Sequence, residues 1–478
     1  MKPVKLAGLQ PEALFGYFEK LCSIPHGSGN TKALSDYFLE FAAEHSLKSI
    51  RDEAGNVILF KKASAGYEEH PPVILQAHMD MVCQKKEDCT LDMEKDPLDV
   101  THDGKYVFAN GTSLGADDGA GVALCLTILS DKTLVHPALE VLFTTDEEVG
   151  MLGAAKLDLS VLKGRRLINL DGANENYFTA GCAGGGRVSL EMPLEKAPCE
   201  GTTLSVCIDR LHGGHSGGMI HLPFANANKV MAQLLKKILE AVPARIVTFA
   251  GGTAGNAIPK RCDVQLVTEP AAVETVKHLC EAFLAELKNA YKEPDAVICV
   301  ETAARAAEAY TEASTKAMLD LLDELPNGML DWFEEFKIAK TSLNMGIVKT
   351  GETLWLQSNI RSNVNSDRQA LQDRFEAVGK KYGCTYTMMN AYPAWEYLPD
   401  SSLRETMVRV SKHTRGIDPQ IRVTHAGLEC GLIGEKLPGL DCISAGTNMR
   451  YIHTADEKLE IEPFGRTLEF LKNVLKEL

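Results

Sequence analysis

The chain has 478 residues, 45% of them hydrophobic and 24% charged, and a formal net charge of −15. That length exceeds one ordinary core, so two or three domains of a soluble globular protein are expected. The acidic balance argues against nucleic acid or an anionic membrane surface as a partner.

No apolar run approaches the roughly 18 residues that a spanning helix needs. The opening stretch, MKPVKLAGLQPEALF, lacks the apolar core of a signal peptide. The 13 cysteines are odd in number, scattered and without a CxxC pair. They fit reduced thiols and a cytoplasmic location better than a disulfide framework or a thiolate zinc site.

Leu14, Phe15, Phe18 and Leu21 share one face of a helix predicted over Pro11–Leu21. Thr31 is placed to cap a second helix through Leu34, Phe38 and Phe41. Asn56–Phe60 and Val73–Leu75 read as strands, and the second runs directly into His78-Met79-Asp80. Gly111–Gly121 is a turn-rich loop opening an apolar helix over Val122–Leu129. Val141–Phe143 is a buried strand ending in Asp146, Glu147 and Glu148, and Leu167–Leu170 is another ending at Asp171. Strands alternating with helices imply a largely parallel sheet.

Composition shifts at Gly181–Gly186, taken as the exit from the first domain. These glycines precede an alternating strand rather than a helix, which argues against a phosphate loop. From about 187 to 395 the pattern is α+β, with strands such as Leu204–Ile208 and Leu354–Arg361 and helices such as Phe224–Leu239 and Arg368–Tyr382. Two smaller units in tandem are one reading of this insert, although no sequence repeat supports it. Pro393–Trp395 reads as the return linker, Leu440–Ser444 as a strand leading towards His453, and Pro463–Leu478 as a closing helix. The expected layout is a discontinuous first domain, residues 1–186 and 396–478, with 187–395 spliced into it.

Taken singly, each polar cluster has an ordinary explanation. The Asp146–Glu148 run suits an acidic turn, His78-x-Asp80 a polar loop, Asp117-Asp118 a helix N-cap, and Asp171 an Asx turn. Together they differ. His and carboxylate groups gathered at strand ends are where an α/β sheet opens into a crevice. Residues i and i+2 of a strand face the same way, so Asp80 can orient the ring of His78. Glu147 and Glu148 diverge, so one can bind a metal while the other faces a substrate. Histidine and carboxylate without thiolate suit zinc, with cobalt or manganese as alternatives. Two ions about 3.5–4 Å apart, bridged by a carboxylate and a water, make a two-metal hydrolase site.

The segments LQAHMDMV, SLGADDGAGVA, LFTTDEEVGMLGA, NLDG, LHGGHSGG and IHTADE occur in this order. In this the chain resembles the zinc exopeptidase family of aminoacylases, glutamate carboxypeptidases and carnosinases, over essentially its whole length. The resemblance implies an α/β zinc-exopeptidase-like catalytic domain with a mostly parallel sheet, interrupted by a large α+β lid. It implies two zinc ions per chain: His78 and Asp171 on one, Glu148 and His453 on the other, Asp117 bridging. Asp80 would support His78, and Glu147 would be the general base. A cis peptide is expected after Asp117. In the lid, His215 matches an oxyanion-stabilising histidine, Asn256 and Arg361 match substrate-binding positions, and Gly427 matches a backbone contact to substrate.

The dipeptidase branch is the nearest likeness, which implies hydrolysis of unblocked dipeptides, Xaa-His and β-alanyl-histidine among them. Asp171, where other branches carry Glu, also points to a free α-amine. An N-acyl amino acid deacylase, an aminotripeptidase and a non-catalytic binding protein are the alternatives. The insert is about twice the length of the lid in the dimeric carboxypeptidase branch. It is expected to let His215 serve the site of its own chain, and both a monomer and a homodimer are compatible with it.

Overall fold

The computed structural model describes residues 5–478; the first four, part of the opening stretch read above, lie outside the described residues. The chain divides into two compact units. The first comprises the residues up to Cys182 together with Tyr397–Val423 and Leu428–Leu478, and the second comprises Ala183–Glu396 and Thr424–Gly427. Among the described residues no helix is long and apolar enough to cross a membrane.

The first unit is built on an eight-stranded sheet in the order Lys48–Arg51, Val57–Lys61, Leu139–Thr144, Val73–His78, Arg166–Gly172, Asp441–Gly446, Tyr177–Cys182, Gln420–Thr424. Leu139–Thr144, Val73–His78, Arg166–Gly172 and Asp441–Gly446 run parallel, and the pairings that flank them are antiparallel. Val73–His78 and Leu139–Thr144 are buried at every position because both faces are covered, and they are mostly apolar for the same reason. Register brings their carboxyl ends level: His78 pairs with Thr144, and Gln76 with Asn169. The residues that follow, Asp80, Asp146–Glu148 and Asp171, therefore leave the sheet along one edge.

Helix Ala116–Ser130 is apolar on every side and buried nearly throughout. Asp117 and Asp118 have non-helical backbone angles, and the peptide between them is cis. The entry to this helix requires Gly115, which has φ +68°. A Cβ there would also stand 2.8 Å from Met81 Sδ and 3.2 Å from His26 Nε2.

Helices Glu12–Cys22 and Lys32–Glu44 bury the apolar faces read from their spacing. Thr31 stands at the N-cap of the second, but its hydroxyl makes no capping bond. Its backbone is already helical (φ −93°, ψ −3°), whereas a capping side chain reaches the first-turn N–H groups from an extended residue. The closing helix, Ile461–Glu477, sets Phe464 edge-on against Phe15 and Phe18, with ring centroids 5.4 and 5.9 Å apart.

The second unit carries a nine-stranded antiparallel sheet in the order Val297–Thr302, Thr202–Asp209, Cys262–Thr268, Ala244–Gly251, Ile338–Thr350, Thr353–Ser362, Gly184–Pro193, Thr385–Tyr392, with Gly328–Phe333 added to Ile338–Thr350. A group of four strands and a group of five meet through one short pairing, Ala250 with Lys349 and Gly251 with Val348. Gly184–Gly186 are strand residues paired with Ser362, Arg361 and Ile360. Helix Ala227–Ala241 begins three residues later than its apolar pattern suggests, because Asn226 caps it by accepting from the N–H groups of Asn228 and Lys229.

Phe464 joins the two ends of the chain in the first unit's core. Phe464→Ala is expected to cost about 3–5 kcal/mol of stability, read as a lowered urea midpoint with an unchanged slope. An unchanged midpoint would show that this contact does not hold the ends together.

Candidate metal centre

His78 ends its strand with the ring buried. Its Nδ1 lies 3.0 Å from the backbone oxygen of Asp80, and its Nε2 lies 3.1 Å from Asp117 Oδ1 and 3.8 Å from Asp171 Oδ1. A nitrogen against a carbonyl must carry the hydrogen, so Nδ1–H donates to Asp80 and Nε2 keeps its lone pair for a cation. Burial opposes protonation of His78. The hydrogen bonds to Asp117 and Asp80 and the charge of Asp171 outweigh it and raise the pKa, so a cation at Nε2 would compete with a proton for that lone pair.

Asp117 uses its oxygens separately. Oδ1 faces His78, and Oδ2 lies 3.4 Å from His453 Nε2. The same His453 nitrogen is 2.7 Å from Glu148 Oε1. His453 is held in the left-handed region, φ +62°. Its hydrogen bonds to Asp117 and then Glu148 push its pKa up to about 10. Burial would raise the pKa of Asp117, but the two histidines hold it well below the usual carboxylate range. One ligand atom from each of His78, Asp117 and Glu148 falls within a 4.8 Å group.

Asp80 does more than face His78. Its Oδ1 accepts from the N–H of Glu147 at 2.9 Å, and its Oδ2 accepts from the N–H of Glu148 at 3.3 Å and from Ser28 Oγ at 2.8 Å. Asp80 thus holds the histidine through its backbone carbonyl and the turn that carries Glu147 and Glu148 through its carboxylate. Burial, against the opposing charge of His78, together with the acids Glu148, Asp117 and Asp80, pushes Glu147 up to about 7. Asp171, partly buried beside Asp117, is also pushed well up by desolvation and then by the charge of Asp117.

Asp80, Asp117, Asp118, Glu147, Glu148 and Asp171 gather around two imidazoles. Among the described residues, the ion-pair partners of Asp117, Glu148 and Asp171 are those imidazoles alone. Carboxyls gathered in such excess, buried or partly buried, suit a site for cations. The donors are imidazole nitrogen and carboxylate oxygen with no thiolate, which fits a first-row divalent ion.

A residue that the spacing did not reveal is Glu457, four positions after His453. Its Oε2 accepts from the N–H groups of Leu114 and Gly115 at 2.8 and 2.9 Å, and its Oε1 from those of Ala116 and Asp117 at 2.9 and 3.2 Å. It ties the segment bearing His453 to the segment bearing Asp117. The one signal for it in the sequence is its place in IHTADE.

His215, Asn256, Arg361 and Gly427 all lie in the second unit. His215 pairs with Ala257, beside Asn256, on a pair of two-residue strands. Its Nδ1 accepts from the N–H groups of Gly217 and Gly218 at 3.2 and 3.3 Å, which leaves Nε2–H as the ring's available donor. Burial and the charge of Arg361 lower its pKa, so it stays neutral at pH 7. His215, Asn256, Thr253 and Pro259 line a cavity of about 550 Å³. Arg361 is buried; its Nη1 donates to Tyr392 Oη at 3.2 Å, and its Nε has no partner. Tyr392 also stands against Gly427, where a Cβ would meet its ring at 2.6 Å. His212 bonds the buried Glu293 at 2.7 Å and stacks on Phe224, a structural role.

The model of Peptidase family M20/M25/M40 matches residues 74–477. The chain is 36% identical to the cytosol non-specific dipeptidase of Escherichia coli (strain K12), over 99% of both chains. Its fold superimposes on the crystal structure of aminoacylhistidine dipeptidase from Vibrio alginolyticus with a TM-score of 0.93 and 34% identity, covering 99% of this chain and 98% of that one. Aminopeptidase PepT from Bacillus cereus ATCC 10987 shares the fold more loosely, with a TM-score of 0.55 and 15% identity over 98% of this chain and 99% of that one. A match across most of the chain, with its candidate ligands in one cluster, identifies this protein as a member of peptidase family M20/M25/M40.

Proposed function

We propose that this protein is a cytoplasmic dipeptidase that holds two zinc ions and hydrolyses unblocked dipeptides, Xaa-His and β-alanyl-histidine among them. The observation that carries the reading is Asp117, whose two carboxylate oxygens face two different histidines. His78 and Asp171 would hold one ion and Glu148 and His453 the other, with Asp117 shared and cobalt or manganese as substitutes. When bound, the pair supplies Lewis acidity to the scissile carbonyl and lowers the pKa of water.

The chain's own groups do the rest. Asp80 orients His78 and holds the backbone of Glu147, so the turn that carries the Glu147 carboxylate is fixed before substrate arrives. Glu147 takes the proton of the attacking water and passes it to the leaving amine. Burial and neighbouring acids tune it towards neutrality, the range in which one group can both accept and release a proton. The neutral His215 donates Nε2–H to the oxyanion as it develops. Arg361, with its Nε unpartnered, receives the peptide's C-terminal carboxylate on a fork that matches both oxygens. Asn256 and the backbone at Gly427 position the rest of the dipeptide. In this reading the second unit serves as a lid.

A dipeptide panel containing β-alanyl-histidine and its N-acetylated form, assayed with chelated and zinc-restored protein, tests the reading. Zinc-dependent cleavage of the free dipeptides alone is expected; cleavage of the acetylated forms alone would make the protein a deacylase. Glu147→Gln is expected to keep its metals and lose about 100- to 10,000-fold in kcat. Loss of metal from that variant would contradict the division of labour between Glu147 and Glu148.

A further inference from the structure

Beneath the candidate ligands lies a second, fully buried polar layer that the reaction does not use. Glu429, the first residue of helix Glu429–Lys436, is 2% exposed. Its Oε2 lies 2.7 Å from Gln76 Nε2 and 2.7 Å from Thr144 Oγ1. Gln76 Oε1 in turn accepts from Asn169 Nδ2 at 2.6 Å. Gln76, Thr144 and Asn169 are 0, 0 and 1% exposed.

The placement of these side chains is systematic. Gln76 stands two residues before His78 and Asn169 two before Asp171, so each shares a sheet face with its ligand, one pleat lower. Thr144 ends the strand that turns into Asp146, Glu147 and Glu148. The three strands are neighbours in the sheet, and Gln76 pairs with Asn169 in register. The chain Asn169–Gln76–Glu429–Thr144 therefore runs across the strands whose ends hold the site.

Such a layer is expensive. Apolar residues of similar size would fill the space without desolvating a carboxyl and two amides. The cost is incompletely offset, because Glu429 Oε1 and Asn169 Oδ1 are buried without a partner. The backbone ladder sets the register of these strands; what the hydrogen-bonded chain adds, and an apolar layer does not, is a fixed direction for the side chains one pleat below the ligands. Metal ligands need that, since their supporting partners hold them within a few tenths of an ångström of a working geometry.

We infer that Glu429 is a positioning residue for the metal centre, tying together, through Gln76, Thr144 and Asn169, the ends of the strands that lead into His78, Glu147–Glu148 and Asp171. Its action is through hydrogen bonds rather than charge. Burial and the nearby Glu147 push its carboxyl up to about 8, so it is mostly protonated at neutral pH. A glutamine in its place offers one acceptor oxygen to the same two donors.

The inference rests on the metal-binding reading above, and the test separates the two. Chelator-stripped wild type, Glu429→Leu, Glu429→Gln and Gln76→Leu are titrated with Zn2+ against a chromogenic chelator, and kcat and KM are measured on a cleaved dipeptide. Glu429→Leu is expected to weaken zinc binding by about 10- to 100-fold and to lower kcat with little change in KM. Glu429→Gln is expected to recover both to within about threefold of wild type. Gln76→Leu should repeat the loss, and the double variant should be no worse than either single one, since both break the same chain. If Glu429→Leu does not fold, Gln76→Leu against wild type carries the test alone. Wild-type zinc affinity in Gln76→Leu or Glu429→Leu would overturn the inference, as would a Glu429→Gln loss equal to that of Glu429→Leu. Failure of wild type to bind zinc would instead overturn the metal reading.

Discussion

The constraint on which the rest depends is the charge around Asp117. Its carboxylate sits between His78 and His453, with Glu148 and Asp171 beside it. Two imidazoles cannot neutralise that many buried and partly buried acids, and partial burial makes the imbalance costly. Protons relieve part of that charge, as the raised pKa values of Asp171 and Glu147 show, and cations bound by the same groups would relieve it further, coupling metal affinity to local stability.

Around that centre the fold invests in fixing directions. Parallel strands deliver His78, Asp146–Glu148 and Asp171 to one sheet edge. Asp80 joins the histidine to the turn carrying Glu147 and Glu148, and Glu457 joins the backbone ahead of Asp117 to the segment carrying His453. These are carboxylates accepting backbone N–H groups, contacts that tolerate little movement. The proposed chemistry asks for this, because Glu147 would have to reach both a water and a leaving nitrogen without rearrangement.

Much of this was legible in the sequence because it is local. Apolar runs ending in His, Asp or Glu marked the strand ends, and the spacing of Leu14, Phe15, Phe18 and Leu21 marked a buried helix face. The order of the motifs gave the family, which the full-length comparison bears out. What could not be read is non-local. Glu457 acts on residues 340 to 343 positions away, and Glu429 on residues 285 and 353 away. Neither sits in a pattern that separates it from the other acids. Thr31 shows the opposite failure: the residue type was right for a cap, but a helical backbone turned the hydroxyl away.

The most direct test of the central claim is the number of zinc ions bound by chelator-stripped protein, wild type against Asp117→Ala, with thermal unfolding as a check on folding. If Asp117 serves two ions with one oxygen each, wild type binds two equivalents and a folded Asp117→Ala holds neither tightly. Two tightly bound equivalents in Asp117→Ala, or a single one in wild type, would contradict the account.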